Sequence, residues 1–87
     1  MPKLVKVEKP KQQTMKEIFN EYEGYWVLIT NRTFNPKGGI VRHYVEKNCE
    51  ELWGEYFDYD SDEELYGSCM VFGVFPDVAQ LGGMGLI

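Results

Sequence analysis

The chain has 87 residues, which is enough for one small domain and too few for separate cofactor and substrate domains. Hydrophobic residues make up 44% and charged residues 26%, an ordinary globular composition that excludes collagen-like and largely disordered chains. The 14 acidic residues outnumber the 9 basic ones and give a net charge of −5, which argues against a protein that binds nucleic acid over its whole surface. No cofactor is expected.

The charges are unevenly distributed along the chain. Five lysines lie within the first 16 residues, whereas nine acidic residues fall between Glu46 and Glu64. The pattern predicts a flexible basic arm at residues 1–13 attached to an acidic body. A solvated tail is the simple interpretation of the arm, and an electrostatic contact with a partner or with phosphates is the alternative.

No segment indicates export or membrane insertion. Residues 1–24 lack the apolar core of a signal peptide, and no run approaches the 18 apolar residues of a membrane span. Cys49 and Cys69 are too few for a disulfide scaffold and are interpreted as free thiols. We therefore expect a cytoplasmic protein.

The first predicted helix begins at Thr14. Thr14 and Glu17 have the spacing of a capping box, in which each side chain pairs with the backbone N–H of the other residue. The apolar residues of the segment recur on one helical face: Met15, Ile18, Phe19 and Tyr22. Gly24 suits the left-handed conformation that ends a helix.

Three strands are predicted after this helix. Residues 25–34 are rich in aromatic and β-branched types, and their first half is apolar on both faces, as in a central strand. Residues 35–39 form the predicted turn and residues 40–47 the second, antiparallel strand of a hairpin. Residues 65–75 form the third strand, which Pro76 ends.

A second helix is predicted between the hairpin and the third strand. Asn48, with Glu51 three residues later, is a capping pattern, and acidic residues in the first turn suit the helix dipole. The apolar residues that can share its inner face are Cys49, Leu52, Trp53, Tyr56 and Phe57. An acidic loop is expected at residues 58–64.

Together these elements predict a single α+β domain at residues 14–76, in the order α-β-β-α-β. The first strand is expected at the centre of a small three-stranded, mainly antiparallel sheet, with both helices on one face. The opposite face would remain partly apolar. This predicts a homodimer or a protein partner.

A glycine-rich apolar tail is expected at residues 77–87. Its large apolar side chains are candidates for docking on the exposed sheet face or on a partner chain: Val78, Leu81, Met84, Leu86 and Ile87. Docking on a partner would exchange a strand or hook between subunits.

Part of the chain resembles a known group of proteins. Residues 21–29 read EYEGYWVLI, and they are followed by Gly39-Ile40-Val41 and by the acidic Glu50-Glu51-Leu52 segment. This is similar to a family of short prokaryotic proteins of unknown function that share a Tyr-x-Gly-x-Trp-Val-x-Ile pattern. The resemblance covers about residues 14–75. It implies the α-β-β-α-β fold and no catalytic residue.

Cys49 is the sharpest candidate for catalysis. At the first turn of a helix, the dipole and free N–H groups stabilise a thiolate, and His43 on the adjoining strand is a candidate base. Glu46, Glu50 and Glu51 oppose this role because they repel a thiolate. The competing interpretation is a structural thiol and an ordinary strand histidine.

No metal site is predicted. Two thiols and one imidazole without paired spacing are a poor zinc set. The alternating carboxylates of Asp58, Asp60 and Asp62 resemble a calcium loop. However, Glu63 stands where that loop needs glycine, and Cys69 stands where it needs a bidentate glutamate.

The sequence favours a non-catalytic protein–protein interaction module, an adaptor or antitoxin-like partner of a basic protein. The candidate partner-binding residues are Glu50, Glu51, Glu55, Asp58, Asp60 and Asp62. The alternative is a thiol-dependent enzyme or redox protein that uses Cys49 with His43. Nucleic-acid contact through the lysines ranks last because the acidic body repels phosphates.

Overall fold

The computed structural model describes residues 3–75. Its elements in chain order are β1 (Val5–Lys6), β2 (Gln12–Thr14), α1 (Met15–Glu21), β3 (Trp26–Phe34), β4 (Lys37–Val45), α2 (Glu50–Asp60) and β5 (Met70–Gly73). The α+β class is confirmed. The prediction of three strands in the order α-β-β-α-β is wrong, because the sheet has five strands within these residues and two of them precede α1.

The strands form one antiparallel sheet in the order β1-β4-β3-β5, and β2 also pairs with β4. The predicted central strand is therefore β3, with β4 and β5 as its two antiparallel neighbours. β1 and β2 share the outer edge of β4: Val5 pairs with Tyr44 near one end, and Gln13 pairs with Gly39 near the other.

Both additional strands come from the segment expected to be a flexible arm. Val5 and Val7 are half-buried, and the Val7 N–H donates to the Arg42 carbonyl at 2.9 Å. Gln13 is buried, and its Nε2 donates to Glu21 Oε1 at 2.9 Å. The pairings of β1 and β2, with the Val7 bond, hold residues 5–7 and 12–14 against the outer side of β4.

The capping box at the start of α1 is confirmed. The Thr14 N–H donates to Glu17 Oε1 at 2.9 Å, and the Glu17 N–H donates to Thr14 Oγ1 at 3.2 Å. Ile18 is the fully buried residue of the helix. Gly24 has the predicted positive φ, at +90°, two residues beyond the C-cap Tyr22.

The hairpin turn is shorter than predicted, because Gly38 and Gly39 belong to β4 and only Asn35 and Pro36 turn the chain. Glycine is needed at position 38 because β2 runs close beside β4 there. A Cβ at this position would collide with the Gln13 carbonyl oxygen. The glycines thus permit a close approach of two strands, whereas the sequence suggested a wider turn.

The two helices cover opposite faces of the sheet, so the prediction that both lie on one face is wrong. On one face, Val27 and Ile29 pack with Ile18 of α1. On the other, Leu28 packs with Leu52 of α2. A strand that is apolar on both faces needs cover on both. The uncovered apolar face from which a homodimer was inferred is absent from residues 3–75.

The boundaries of the last elements also differ from expectation. The N-cap of α2 is Cys49 rather than Asn48, and it makes no side-chain capping bond. β5 covers Met70–Gly73 and not the whole of residues 65–75, because turns occupy the chain before it. The predicted end of this strand at Pro76 lies outside the described residues, as do the docking residues Val78, Leu81, Met84, Leu86 and Ile87.

The helices of residues 3–75 are too short or too polar for any of them to cross a membrane.

Candidate protein-binding surface

α2 is attached to the sheet through one side only. Leu52 is fully buried, and Tyr56 and Tyr59 are half-buried against the same cluster. Trp53 and Phe57 point to other sides of the helix, with 36% and 64% of their surface exposed. They lie four residues apart, so they are neighbours on the outer helix surface.

The exposed rings of α2 are held in place by contacts within the helix. Trp53 donates its Nε1–H to Asn48 Oδ1 at 2.6 Å, and its ring meets Tyr56 edge to face at 5.4 Å. The Tyr56 ring in turn contacts Phe57 at 5.3 Å. The aromatic side chains are therefore pre-positioned, which lowers the entropy lost when a partner binds them.

A cleft continues this surface beyond the end of α2. Its volume is about 520 Å³. Phe57, Asp60, Ser61, Glu63 and Tyr66 line the cleft beside α2. Tyr66 is 77% exposed, so two aromatic rings and two carboxylates face solvent together.

We use the name acidic–aromatic surface for the exposed side chains of α2 and the loop after it: Glu50, Glu51, Trp53, Phe57, Asp58, Glu63 and Tyr66. No lysine or arginine occurs after Lys47. Within residues 3–75, no ion pair with a lysine or arginine neutralises the carboxylates of this surface. The surface combines apolar area with uncompensated negative charge.

The six predicted partner-binding acids fall into two groups. Glu50, Glu51 and Asp58 are exposed on α2, as a binding role requires. The other three contact groups of this chain as well, although Asp62 is exposed and Glu55 and Asp60 are half-buried. Glu55 lies against His43, Asp60 Oδ1 accepts the Gly67 N–H at 3.2 Å, and Asp62 Oδ1 accepts the Glu64 N–H at 2.9 Å.

A polar cluster lies between α2 and the sheet. His43 is 5% exposed, and its Nε2 lies 3.3 Å from Glu55 Oε1 and 3.4 Å from Tyr59 Oη. Arg42 Nε donates to Thr30 Oγ1 at 2.8 Å, and its guanidinium lies 5.8 Å from the centre of the Tyr59 ring. The cluster fixes the inner side of α2 and so determines which side chains face outward.

Burial controls the titration of this cluster. Burial lowers the pKa of His43, and the carboxylate of Glu55 opposes that shift, while the positive charges of Lys6 and Arg42 add to it. Burial likewise raises the pKa of Tyr59. His43 is therefore neutral at pH 7.

Among residues 3–75, no hydrogen bond links the Cys49 thiol to His43. Cys49 is half-buried beside Leu52, and the His43 Nε2 faces Glu55 and Tyr59. The other ring nitrogen, Nδ1, has no hydrogen-bond partner. The second thiol, Cys69, is buried, and burial raises its pKa, with the negative charge of Asp60 adding to the effect.

Sequence reasoning missed the aromatic half of the surface. Trp53 and Phe57 were assigned to the inner face of the helix, and Tyr66 to a strand. One signal was available for Phe57: it follows Leu52 by five residues, which places the two side chains about 140° apart around a helix. No comparable signal marks Tyr66, because its exposure depends on the turns that replace the predicted strand.

In the part of the chain that the structure describes, no three His, Cys, Asp or Glu side chains are grouped as a metal site would require. No family model, curated protein or solved structure matches the chain.

Proposed function

We propose that the protein is a non-catalytic protein–protein interaction module, whose acidic–aromatic surface binds a basic, partly apolar segment of another protein. The observation that supports this most directly is the exposure of Phe57 and Tyr66 around a cleft that also carries Asp60 and Glu63. Clustered exposed aromatic side chains are typical of protein interaction sites.

The chemistry of the surface favours a basic partner over an acidic or neutral one. Lysine and arginine lay their apolar stems along aromatic rings and extend their charged ends to carboxylates. The ring faces add a cation–π attraction. The net charge of −5 also accelerates the encounter with a positively charged segment.

The resemblance to short prokaryotic proteins of unknown function remains a proposal, and it implies no activity that competes with this one. A second copy of the chain is a poor occupant of the surface, because two acidic–aromatic surfaces repel each other.

Photo-crosslinking at position 57 tests the proposal in cells. A benzoylphenylalanine replaces Phe57 in one variant and Phe34 in a matched control, since Phe34 is 73% exposed but lies at the far end of β3. We expect one defined heterologous cross-linked band from position 57 and none from position 34. Identical bands from both positions, or a band at twice the mass of the chain, would contradict the proposal.

Charge reversal then tests the role of the carboxylates. Glu50→Lys, Glu51→Lys and Asp58→Lys, combined in the crosslinker variant, are expected to abolish the band. Glu23→Lys is the control, because Glu23 is also exposed but lies between α1 and β3. A band that survives the triple reversal, or is lost equally with Glu23→Lys, would show that the surface charge does not select the partner.

A further inference from the structure

A second cleft lies on the α1 face, away from the acidic–aromatic surface. It is open, has a volume of about 560 Å³, and is lined by three tyrosines together with β1 and the end of α1. The Tyr44 ring lies 5.2 Å from Tyr22 and 5.3 Å from Tyr25, and the Tyr25 and Tyr44 planes are nearly perpendicular, at 83°. The cleft, with Tyr22, Tyr25 and Tyr44 as its walls, is named the tyrosine cleft.

The charge around the tyrosine cleft is negative. Glu8 and Glu21 line it, and Lys6 is the one basic residue among the lining residues. Lys6 pairs with His43 in the sheet, so its side chain lies on the α2 face with His43. The ammonium group of Lys6 therefore lies towards His43, whose pKa it lowers, and it does not neutralise Glu21 at the cleft.

Tyr22 remains a neutral phenol at physiological pH. Burial, together with the negative charge of the neighbouring Glu21, raises the pKa of Tyr22 to about 12. Tyr25 and Tyr44 are half-buried, so their rings remain accessible from the cleft. The walls thus offer π-systems with carboxylates at the rim.

This combination suits a cation that cannot donate hydrogen bonds. A quaternary ammonium group spreads its charge over methyl groups, is weakly hydrated, and is attracted by the negative faces of aromatic rings. The volume is within the range of small-ligand sites. We propose that the tyrosine cleft binds a quaternary ammonium group, carried by a small choline-like molecule or by a trimethylated lysine side chain.

Calorimetric titration of the full chain with choline and with 3,3-dimethylbutan-1-ol tests the charge requirement, because the alcohol has the same shape and no charge. We expect choline to bind at least about tenfold more tightly, since the ring faces and carboxylates attract only the cation. Equal affinities, or no binding of choline at millimolar concentration, would overturn the proposal.

Variants of the walls locate the site. Tyr25→Leu and Tyr44→Leu are expected to weaken choline binding about tenfold, whereas Tyr25→Phe and Tyr44→Phe retain the ring and most of the affinity. Tyr66→Leu, on the acidic–aromatic surface, is the control and is expected to change nothing. Loss of affinity in Tyr66→Leu but not in the cleft variants would place the site elsewhere and overturn the proposal.

The variant Glu21→Gln tests the proposal even if the leucine variants unfold. It leaves an acceptor for Gln13 Nε2 but removes the charge, so we expect about threefold weaker choline binding and unchanged binding of the neutral alcohol. The same loss for both ligands would contradict an electrostatic role.

A third titration distinguishes the two sources of the ligand. A short peptide with a central trimethyllysine binds more tightly than choline if the natural ligand is a modified protein, because flanking residues add contacts along β1. Equal affinities indicate a free small molecule. A peptide with unmodified lysine that binds as well as the trimethylated one would overturn the proposal.

Discussion

The two faces of the sheet are joined to their helices by different chemistry. On the α1 face, six buried side chains form one apolar cluster with Ile18 and Ile29 at its centre. On the α2 face, the buried apolar cluster has three members, and the remaining area is occupied by the polar groups around His43 and Arg42. The α1 face is held mainly by packing, and the α2 face depends also on hydrogen bonds and protonation.

This difference explains where the protein can present a binding surface. α2 needs few apolar side chains for its attachment, so Trp53 and Phe57 are left for solvent. α1 uses Tyr22 in the core, and the neighbouring tyrosines form a recess instead of a projecting surface. One face thus suits a projecting macromolecular contact, and the other a small group that enters a cleft.

The largest expected effect comes from neighbouring residues of β3 that face opposite sides. Ile29→Ala should cost about 2–5 kcal/mol because it leaves a cavity in the apolar cluster. Thr30→Val preserves the volume and removes the acceptor for Arg42, so about 1–2 kcal/mol is expected. Urea unfolding measures both. A Thr30→Val cost equal to that of Ile29→Ala would remove the distinction between the faces.

The next prediction tests the close approach of the paired strands β2 and β4. Gly38→Ala should cost about 1–3 kcal/mol because the added Cβ meets the Gln13 backbone and pushes β2 outward. Gly54→Ala in α2 is the matched control. Its Cβ would meet nothing within 4 Å, and alanine favours the helix, so a gain of about 0.5–1 kcal/mol is expected. Equal destabilisation of the two variants would contradict the close approach of β2 to β4 at Gly38.

The two helix starts offer a smaller contrast. Thr14→Ala should cost about 1 kcal/mol because it removes the capping box of α1. Cys49 occupies the same position in α2 with extended backbone and no capping bond, so Cys49→Ser should add one and stabilise by about 0.5 kcal/mol. Thermal unfolding measures both changes. A Cys49→Ser variant less stable than Cys49→Ala would show that the thiol is needed for packing.

Local signals predicted the elements whose residues interact within a few positions. Thr14 and Glu17 specify the start of α1, and the unbroken apolar run at residues 26–29 identifies β3 as central. β1 is not predicted because Val5 and Val7 are two apolar residues among lysines, and Tyr44, the partner of Val5, lies almost 40 residues later. Such a strand exists only because β4 supplies an edge.

The sequence contains enough information to place the two helices on opposite faces of the sheet. Val27, Leu28 and Ile29 are consecutive and apolar, so both faces of β3 require cover. The same reasoning does not identify the candidate surface. Exposure of Phe57 and Tyr66 depends on the polar cluster that orients α2 and on the turns before β5, and neither follows from periodicity.

The smallest expected effect is the dependence of stability on pH between 5.5 and 7.5, and it arises on the α2 face. Because burial lowers the pKa of His43 below its unfolded value of about 6.5, the unfolded chain binds the proton more readily. The stability associated with the neutral imidazole is fully present above pH 6.5 and is lost as the pH falls through that value towards the lower folded pKa. Urea unfolding at pH 7.5 and 5.5 measures the loss.

Two variants decide whether His43 is the cause. His43→Gln removes the titrating group and should flatten the change between pH 7.5 and 5.5. Glu55→Gln should steepen it, because the carboxylate of Glu55 is the one charge that favours the protonated imidazole, against Lys6 and Arg42. Ile29→Ala lowers stability at both pH values without changing the slope. A slope that persists in His43→Gln would assign the pH dependence to other groups and leave the two faces alike in this respect.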